Sequence, residues 1–192
     1  MNEEQTKKPL ILLVGKSGSG KTTIAEILEK DYYLKSLRSY TTRLPRYEGE
    51  DGHTFIDRDT YFKLIDKIAT THFDGNFYCA TKEQCDKSDV YVVDPDGVDT
   101  FTVNYDGDRV PLIIYINTHW FIRFFRMVRR GNSVSKAMER IRHDKKKFGK
   151  FQNREDVIVI KNNFRSASTT AVSICQEYME MVATLMKTGG IK

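Results

Sequence analysis

The run Gly15-Lys16-Ser17-Gly18-Ser19-Gly20-Lys21-Thr22 has the residue types and spacing for chemistry on phosphate. It fits G-x-x-x-x-G-K-[ST]. Glycines let the backbone curl until successive N–H groups point at one anion. A helix beginning near Lys21 adds its positive end. In this pattern the lysine reaches the β- and γ-phosphates and the following hydroxyl ligates Mg²⁺. The expected ATP-binding set is therefore Gly15, Lys16, Ser17, Gly18, Ser19, Gly20, Lys21 and Thr22, with Thr23 beside it. Lys21 is the expected catalytic cation and Thr22 the expected Mg²⁺ ligand.

Such a loop must be held between a strand and a helix, and both are legible. Leu10–Val14 is a short apolar run suited to a buried parallel strand. Ile24, Ile27 and Leu28 recur at helical spacing, which predicts a helix over about 22–30. Further buried-strand runs are Val90–Val93, Leu112–Ile116 and Val157–Ile160. Helices are predicted between and after them, near 97–103, 119–130, from Val134 onward, and 168–186. Gly131-Asn132 reads as a C-cap pair. Strands alternating with helices imply a parallel α/β sheet covered on both faces.

Residues 35–87 break that rhythm. Pro45 and the glycines at 49 and 52 suggest a loop-rich insertion, with a short strand at His53–Ile56. Tyr61, Phe62, Leu64, Ile65 and Ile68 suggest a helix capped by Asp59 or Thr60. Asp74-Gly75 between aromatic flanks is a hairpin signal. The segment reads as a small mixed subdomain inserted into the α/β core.

A chain of 192 residues and 40% hydrophobic content suits one compact domain. Its net charge of +5 suggests anionic partners. Three cysteines with no C-x-x-C pair argue against a disulfide framework, and a cytoplasmic setting is expected. Residues 1–8 lack a signal-peptide pattern, and no run approaches transmembrane length. No membrane or nucleic-acid partner is expected. Phe121, Phe124 and Phe125 interleave with Arg123, Arg126 and Arg130, but they read as the core-facing side of their helix. His53, His72, His119 and His143 have neither metal spacing nor a triad partner.

A second constellation is Ser39-Tyr40-Thr41-Thr42-Arg43-Leu44-Pro45-Arg46. Two guanidinium forks three residues apart suit phosphate oxygens, although a solvated basic loop would look the same. Together with the phosphate loop and Gly75-Asn76-Phe77-Tyr78, the segment resembles guanylate kinases, along nearly the full chain. That family reads approximately S-x-T-T-R-x-P-R-x-G-E and then G-N-x-Y-G at these places.

The resemblance implies a P-loop NTPase three-layer α/β core (9–34 and 88–192), an inserted acceptor-binding subdomain of mixed α+β type (35–87) and a helical lid (126–150). It implies that Ser39, Arg43, Arg46 and Tyr78 hold the phosphate of an acceptor nucleotide. Asp94 would hold Mg²⁺ through water and Asp96 would lie near the acceptor; turn chemistry around Pro95 and Gly97 is the plainer reading of both. Arg130 and Arg140 would be the lid arginines acting in catalysis. Asn162 or Asn163 would lie near the adenine site. The implied activity is transfer of the γ-phosphoryl group of ATP to GMP or dGMP.

The departures concern the base. The family's guanine-reading glutamate and hydroxyl residue fall at Ala69 and Ala80, and its glycine after the tyrosine at Cys79. Thr70, Thr71, Glu83 and Gln84 are the nearby candidates to compensate. Three readings stay open: GMP or dGMP through other contacts, a different nucleoside monophosphate, or a protein-binding module of guanylate-kinase type. Such modules commonly lose the loop lysine and the lid arginines, whereas Lys21, Thr22 and a full arginine set stand here.

Overall fold

The computed structural model describes residues 7–45, 47–164 and 166–188. Its centre is strand β1 (Lys8–Val14), whose five residues from Leu10 to Val14 are wholly buried. Alternation along the strand sends Leu10, Leu12 and Val14 into one apolar cluster and Ile11 and Leu13 into another. Each of these side chains stabilises by about 1.5–3 kcal/mol when fully buried. A strand apolar on both faces needs cover on both.

That cover comes from helices. On one side Ile24 and Leu28 of α1 (Lys21–Tyr32) and Ala171, Ile174 and Tyr178 of α7 (Ala167–Lys187) meet Ile11 and Leu13. On the other, Val98 and Phe101 of α4 (Pro95–Asn104) meet Leu10 and Leu12. The sheet contains β6 (Val90–Val92), β7 (Arg109–Asn117) and β8 (Val157–Lys161) in the order β6-β1-β7-β8, all parallel. The predicted α/β layering is therefore the observed one.

A second four-stranded sheet occupies residues 40–81. It orders β3 (Thr54–Phe55), β2 (Tyr40–Thr41), β5 (Asn76–Thr81) and β4 (Lys67–Phe73), with β2–β3 parallel and the other pairs antiparallel. Asp74 and Gly75 have φ of 51° and 73°, the left-handed pair that a tight hairpin requires. Ile68, Ala69 and Ala80 join the cluster around Val98 and Phe101, so the two sheets share one apolar layer.

Helix α2 (Arg58–Lys63) corrects one expectation. Asp57 is its cap, accepting from the Thr60 N–H, and the helix stops before Leu64. The Lys67 ammonium then takes the carbonyls of Tyr61 and Leu64, and Asp66 turns left-handed. Ile68 consequently lies in β4, despite its helical spacing from Tyr61 and Leu64.

Helix α5 (Trp120–Arg129) corrects another. Arg123 and Met127 are buried, while Phe121 and Phe125 are 50% and 52% exposed. Trp120, Phe121 and Phe125 form an edge-to-face row along the outer side. The guanidinium wins the inner face because a carboxylate awaits it there, on α6 (Val134–Lys147). No helix among the described residues is long and apolar enough to cross a membrane.

Cys79 in β5 and Cys85 in α3 (Lys82–Asp86) are fully buried, and burial pushes their thiols up to about 11 and about 12. Thiol titration of the native protein with DTNB should therefore give Cys175 alone, and all three after denaturation. Rapid reaction of two or more thiols without unfolding would contradict this packing.

Candidate functional site

The loop leaving β1 is tied from behind. The Lys21 ammonium folds back to the carbonyls of Gly15 (2.6 Å) and Lys16 (3.4 Å). Arg123 of α5 donates to the Ser17 carbonyl at 3.3 Å, and Arg126 to those of Gly18 and Ser19. The Asn162 amide and the Thr118 hydroxyl also reach the Ser19 carbonyl, at 2.8 and 3.2 Å. Carbonyl oxygens drawn outward by so many donors leave the N–H groups to form an anion-binding concavity. No side chain caps α1, so its first amides are also available to an anion.

Gly18 has φ of +75°, and a Cβ there would stand 2.8 Å from the Arg123 carbonyl oxygen. The spacing of the motif thus encodes a close approach to α5 as well as a tight curl. Burial pushes Lys21 down to about 8, with Asp144 opposing that shift and Arg130 and Arg123 adding to it.

Asp144 of α6 was not legible as a site residue. Its carboxylate accepts from the Ser17 N–H at 2.8 Å and the Ser17 hydroxyl at 3.3 Å. It also pairs with Arg123 at 2.8 Å, both side chains being almost completely buried. One turn further along α6, the Lys147 ammonium lies 2.7 Å from Asp94 and 2.9 Å from Asp96. Burial alone would depress Lys147; the two carboxylates overcome that and hold it above the ordinary lysine value.

Asp94 serves the turn as well. It caps α4 by accepting from the Gly97 N–H at 2.8 Å, and it takes the Thr71 hydroxyl at 3.0 Å. The Lys147 ammonium resting on Asp94 and Asp96 shows that this acid pair accommodates a cation. Thr22, at the start of α1, is exposed. Oxygen donors of this kind suit Mg²⁺.

One cavity of about 620 Å³ is shared by the loop and by the second sheet with its flanking loops. Ser39, Arg43, His53, Thr71, Phe73 and Tyr78 line it, as do Gly15, Ser17 and Lys21. Ser39 Oγ lies 3.0 Å from His53 Nδ1, and the Tyr78 ring stands edge-on to His53. Glu50 holds the Arg43 fork with contacts of 2.8 and 3.2 Å, while Phe55 lies beneath the guanidinium. Arg46 lies outside the described residues.

The remaining sequence candidates divide. Arg140 lines the cavity; Arg130 is the exposed C-cap of α5 and stands outside its wall. Lys16 and Thr23 flank the loop, half-buried and exposed respectively. Asn162 is 2% exposed, with its amide nitrogen on Ser19 and its oxygen accepting from the Thr170 hydroxyl at 3.1 Å. It therefore supports the loop from below, a correction to its expected place at an adenine base. Ala69 and Ala80 pair directly across β4 and β5 and are core residues. Glu83 is spent on Lys87, and Gln84 on the α3 capping box and the Arg38 carbonyl. Of the four compensating candidates, Thr71 reaches the cavity wall.

Neither a protein-family model nor a curated protein matches the chain. Solved structures do. A guanylate kinase from Anaplasma phagocytophilum is 22% identical with a TM-score of 0.55, over 91% of this chain and 87% of its own. A gluconokinase from Sinorhizobium meliloti 1021 is 12% identical with a TM-score of 0.54, over 94% and 97%. At these identities the likeness is one of fold.

Gly18→Ala should cost about 1–2 kcal/mol from the left-handed backbone alone, and more from the contact with Arg123. Urea unfolding of the variant checks this; unchanged stability would mean that the loop does not approach α5 so closely.

Proposed function

We propose that the protein is an ATP- and Mg²⁺-dependent phosphotransferase acting on a nucleoside monophosphate, with GMP or dGMP the first acceptors to test. One observation carries the reading: Lys21 and Ser39, Arg43 and Tyr78 line a single cavity. A donor triphosphate on the loop and an acceptor monophosphate on the second sheet would meet in it. The fold shared with a guanylate kinase supports the reading.

The acceptor phosphate oxygen attacks the γ-phosphorus, the bond to the β–γ bridging oxygen breaks, and ADP leaves. Little covalent help is needed, so positioning and electrostatics supply the acceleration. Loop amides and Lys21 hold the donor phosphates. Ser39, Arg43 and Tyr78, joined by Arg46 on the resemblance, orient the acceptor. Arg140, on the lid expected over 126–150, brings positive charge over the reacting groups. Arg130, whose charge already acts on Lys21, would join it. Mg²⁺, held by Thr22 and through water by Asp94, would neutralise charge on the β- and γ-phosphates. Lid closure excludes water and so limits hydrolysis of ATP.

Burial of Ala69 and Ala80 favours a second acceptor reading, a different ribo- or deoxynucleoside monophosphate. A site without groups that hydrogen-bond guanine discriminates poorly for it. ADP release should be followed with Mg-ATP against all common ribo- and deoxynucleoside monophosphates, with gluconate as an acceptor of another kind. Release dependent on a nucleoside monophosphate supports the proposal and names the base. Release with gluconate alone would transfer the assignment to sugar-acid phosphorylation. No acceptor-dependent ADP with any of them would favour a binding module.

Two substitutions separate the halves of the site. Lys21→Ala should lower turnover about a hundredfold or more while the circular dichroism spectrum is unchanged. Arg43→Ala should raise the acceptor KM by about tenfold to a hundredfold, with much less effect on the KM for ATP. Equal losses for both substrates would refute the division of labour.

A further inference from the structure

The inner face of α6 presents two charges to the site, and each has the sign of a ligand the site is built for. Asp144 puts a carboxylate on a donor of the phosphate loop, the Ser17 N–H. Lys147 puts an ammonium between Asp94 and Asp96. The two residues are three apart on one helix, so they share a face and move together. Ser17, Asp94, Asp144 and Lys147 all line the cavity described above. We propose that this face of α6 is an internal plug: the Asp144 carboxylate stands in for a phosphate oxygen and the Lys147 ammonium for the divalent cation, and bound Mg-nucleotide displaces both.

The inference rests on the phosphotransferase reading and adds its regulation. Arg123 already neutralises Asp144, so ion pairing alone does not explain why the carboxylate also engages a loop N–H. Nor does helix capping explain Lys147, which lies away from the Asp94 carboxylate oxygen that accepts from Gly97 and uses the other one. Glu50 on Arg43 is a different case: it comes from the same loop seven residues on and orients its fork locally.

The consequence is a lid pinned shut when no ligand is bound. The Asp144 pin is shielded from water, so salt screens it weakly, whereas the Lys147 pin is partly open to solvent on its Asp96 side. Apparent affinity for nucleotide is then the intrinsic affinity reduced by the fraction of molecules in which α6 has lifted. Mg-ATP supplies a more highly charged anion and a divalent cation, and so replaces both halves of the plug together. Free triphosphate replaces only one.

The test uses the full chain and reads binding by isothermal titration, with hydrogen exchange of the α6 amides as the readout of lifting. Lys147→Gln removes the charge and keeps most of the length of the side chain. It should bind Mg-ATP at least about fivefold tighter than the wild type, and exchange its α6 amides faster. In EDTA the same variant should bind ATP no better than the wild type, because Asp94 and Asp96 are then unneutralised. Asp144→Asn should bind inorganic tripolyphosphate in EDTA at least about fivefold tighter. If Asp144→Asn fails to fold with Arg123 unpaired, Lys147→Gln decides alone.

Mg-ATP binding that weakens or stays the same in Lys147→Gln overturns the plug and makes Lys147 a positioning residue. Absence of ATP and tripolyphosphate binding in the wild type and both variants sinks the nucleotide reading, and the plug with it.

Discussion

The structure depends on how the carbonyl groups of residues 15–19 are held. A peptide that turns its N–H groups inward to an anion must turn its carbonyls somewhere else. If they were buried without donors, each would cost about 1–3 kcal/mol. Here Lys21, Arg123, Arg126, Thr118 and Asn162 supply those donors from α1, α5, the end of β7 and the end of β8. The loop is thus preorganised by several elements at once, and its shape does not wait for a ligand.

That constraint explains the charge on α5. A buried arginine is expensive unless it is paired and hydrogen-bonded. Arg123 meets both conditions, between the Ser17 carbonyl and the Asp144 carboxylate. Removing one partner from such a buried pair costs about 3–5 kcal/mol, so α6 is coupled energetically to the loop. Trp120, Phe121 and Phe125 of α5 are left on the outside as a result. The inner face of this helix is polar because the loop it serves presents carbonyl oxygens.

Two sheets meet around this arrangement with different tasks. The parallel sheet fixes the loop through β1, which is buried on both faces. The smaller mixed sheet carries Ser39, Arg43 and Tyr78 and shares its apolar layer with α4. Ala69 and Ala80 belong to that layer, and this is why they are small and apolar. A carboxylate at either place would be buried between β4, β5 and α4.

Short-range physics made much of this legible from residue types alone. An apolar run placed β1, periods near four residues placed α1 and α7, and the Asp74-Gly75 pair placed the hairpin, because those signals depend on neighbours in the chain. The motif gave the phosphate loop for the same reason: its glycines and lysine act within eight residues. Tertiary structure decided the rest. Ile68 became a strand because Lys67 closed off α2, and Phe121 and Phe125 turned outward because Asp144, 21 residues beyond Arg123, claimed its guanidinium. Asp144 and Lys147 carry no motif, and Asn162 looked like a ligand contact until Thr170 and Ser19 were seen to engage both ends of its amide. Charges find partners by distance in space, and spacing along the chain does not record which carboxylate will be nearest.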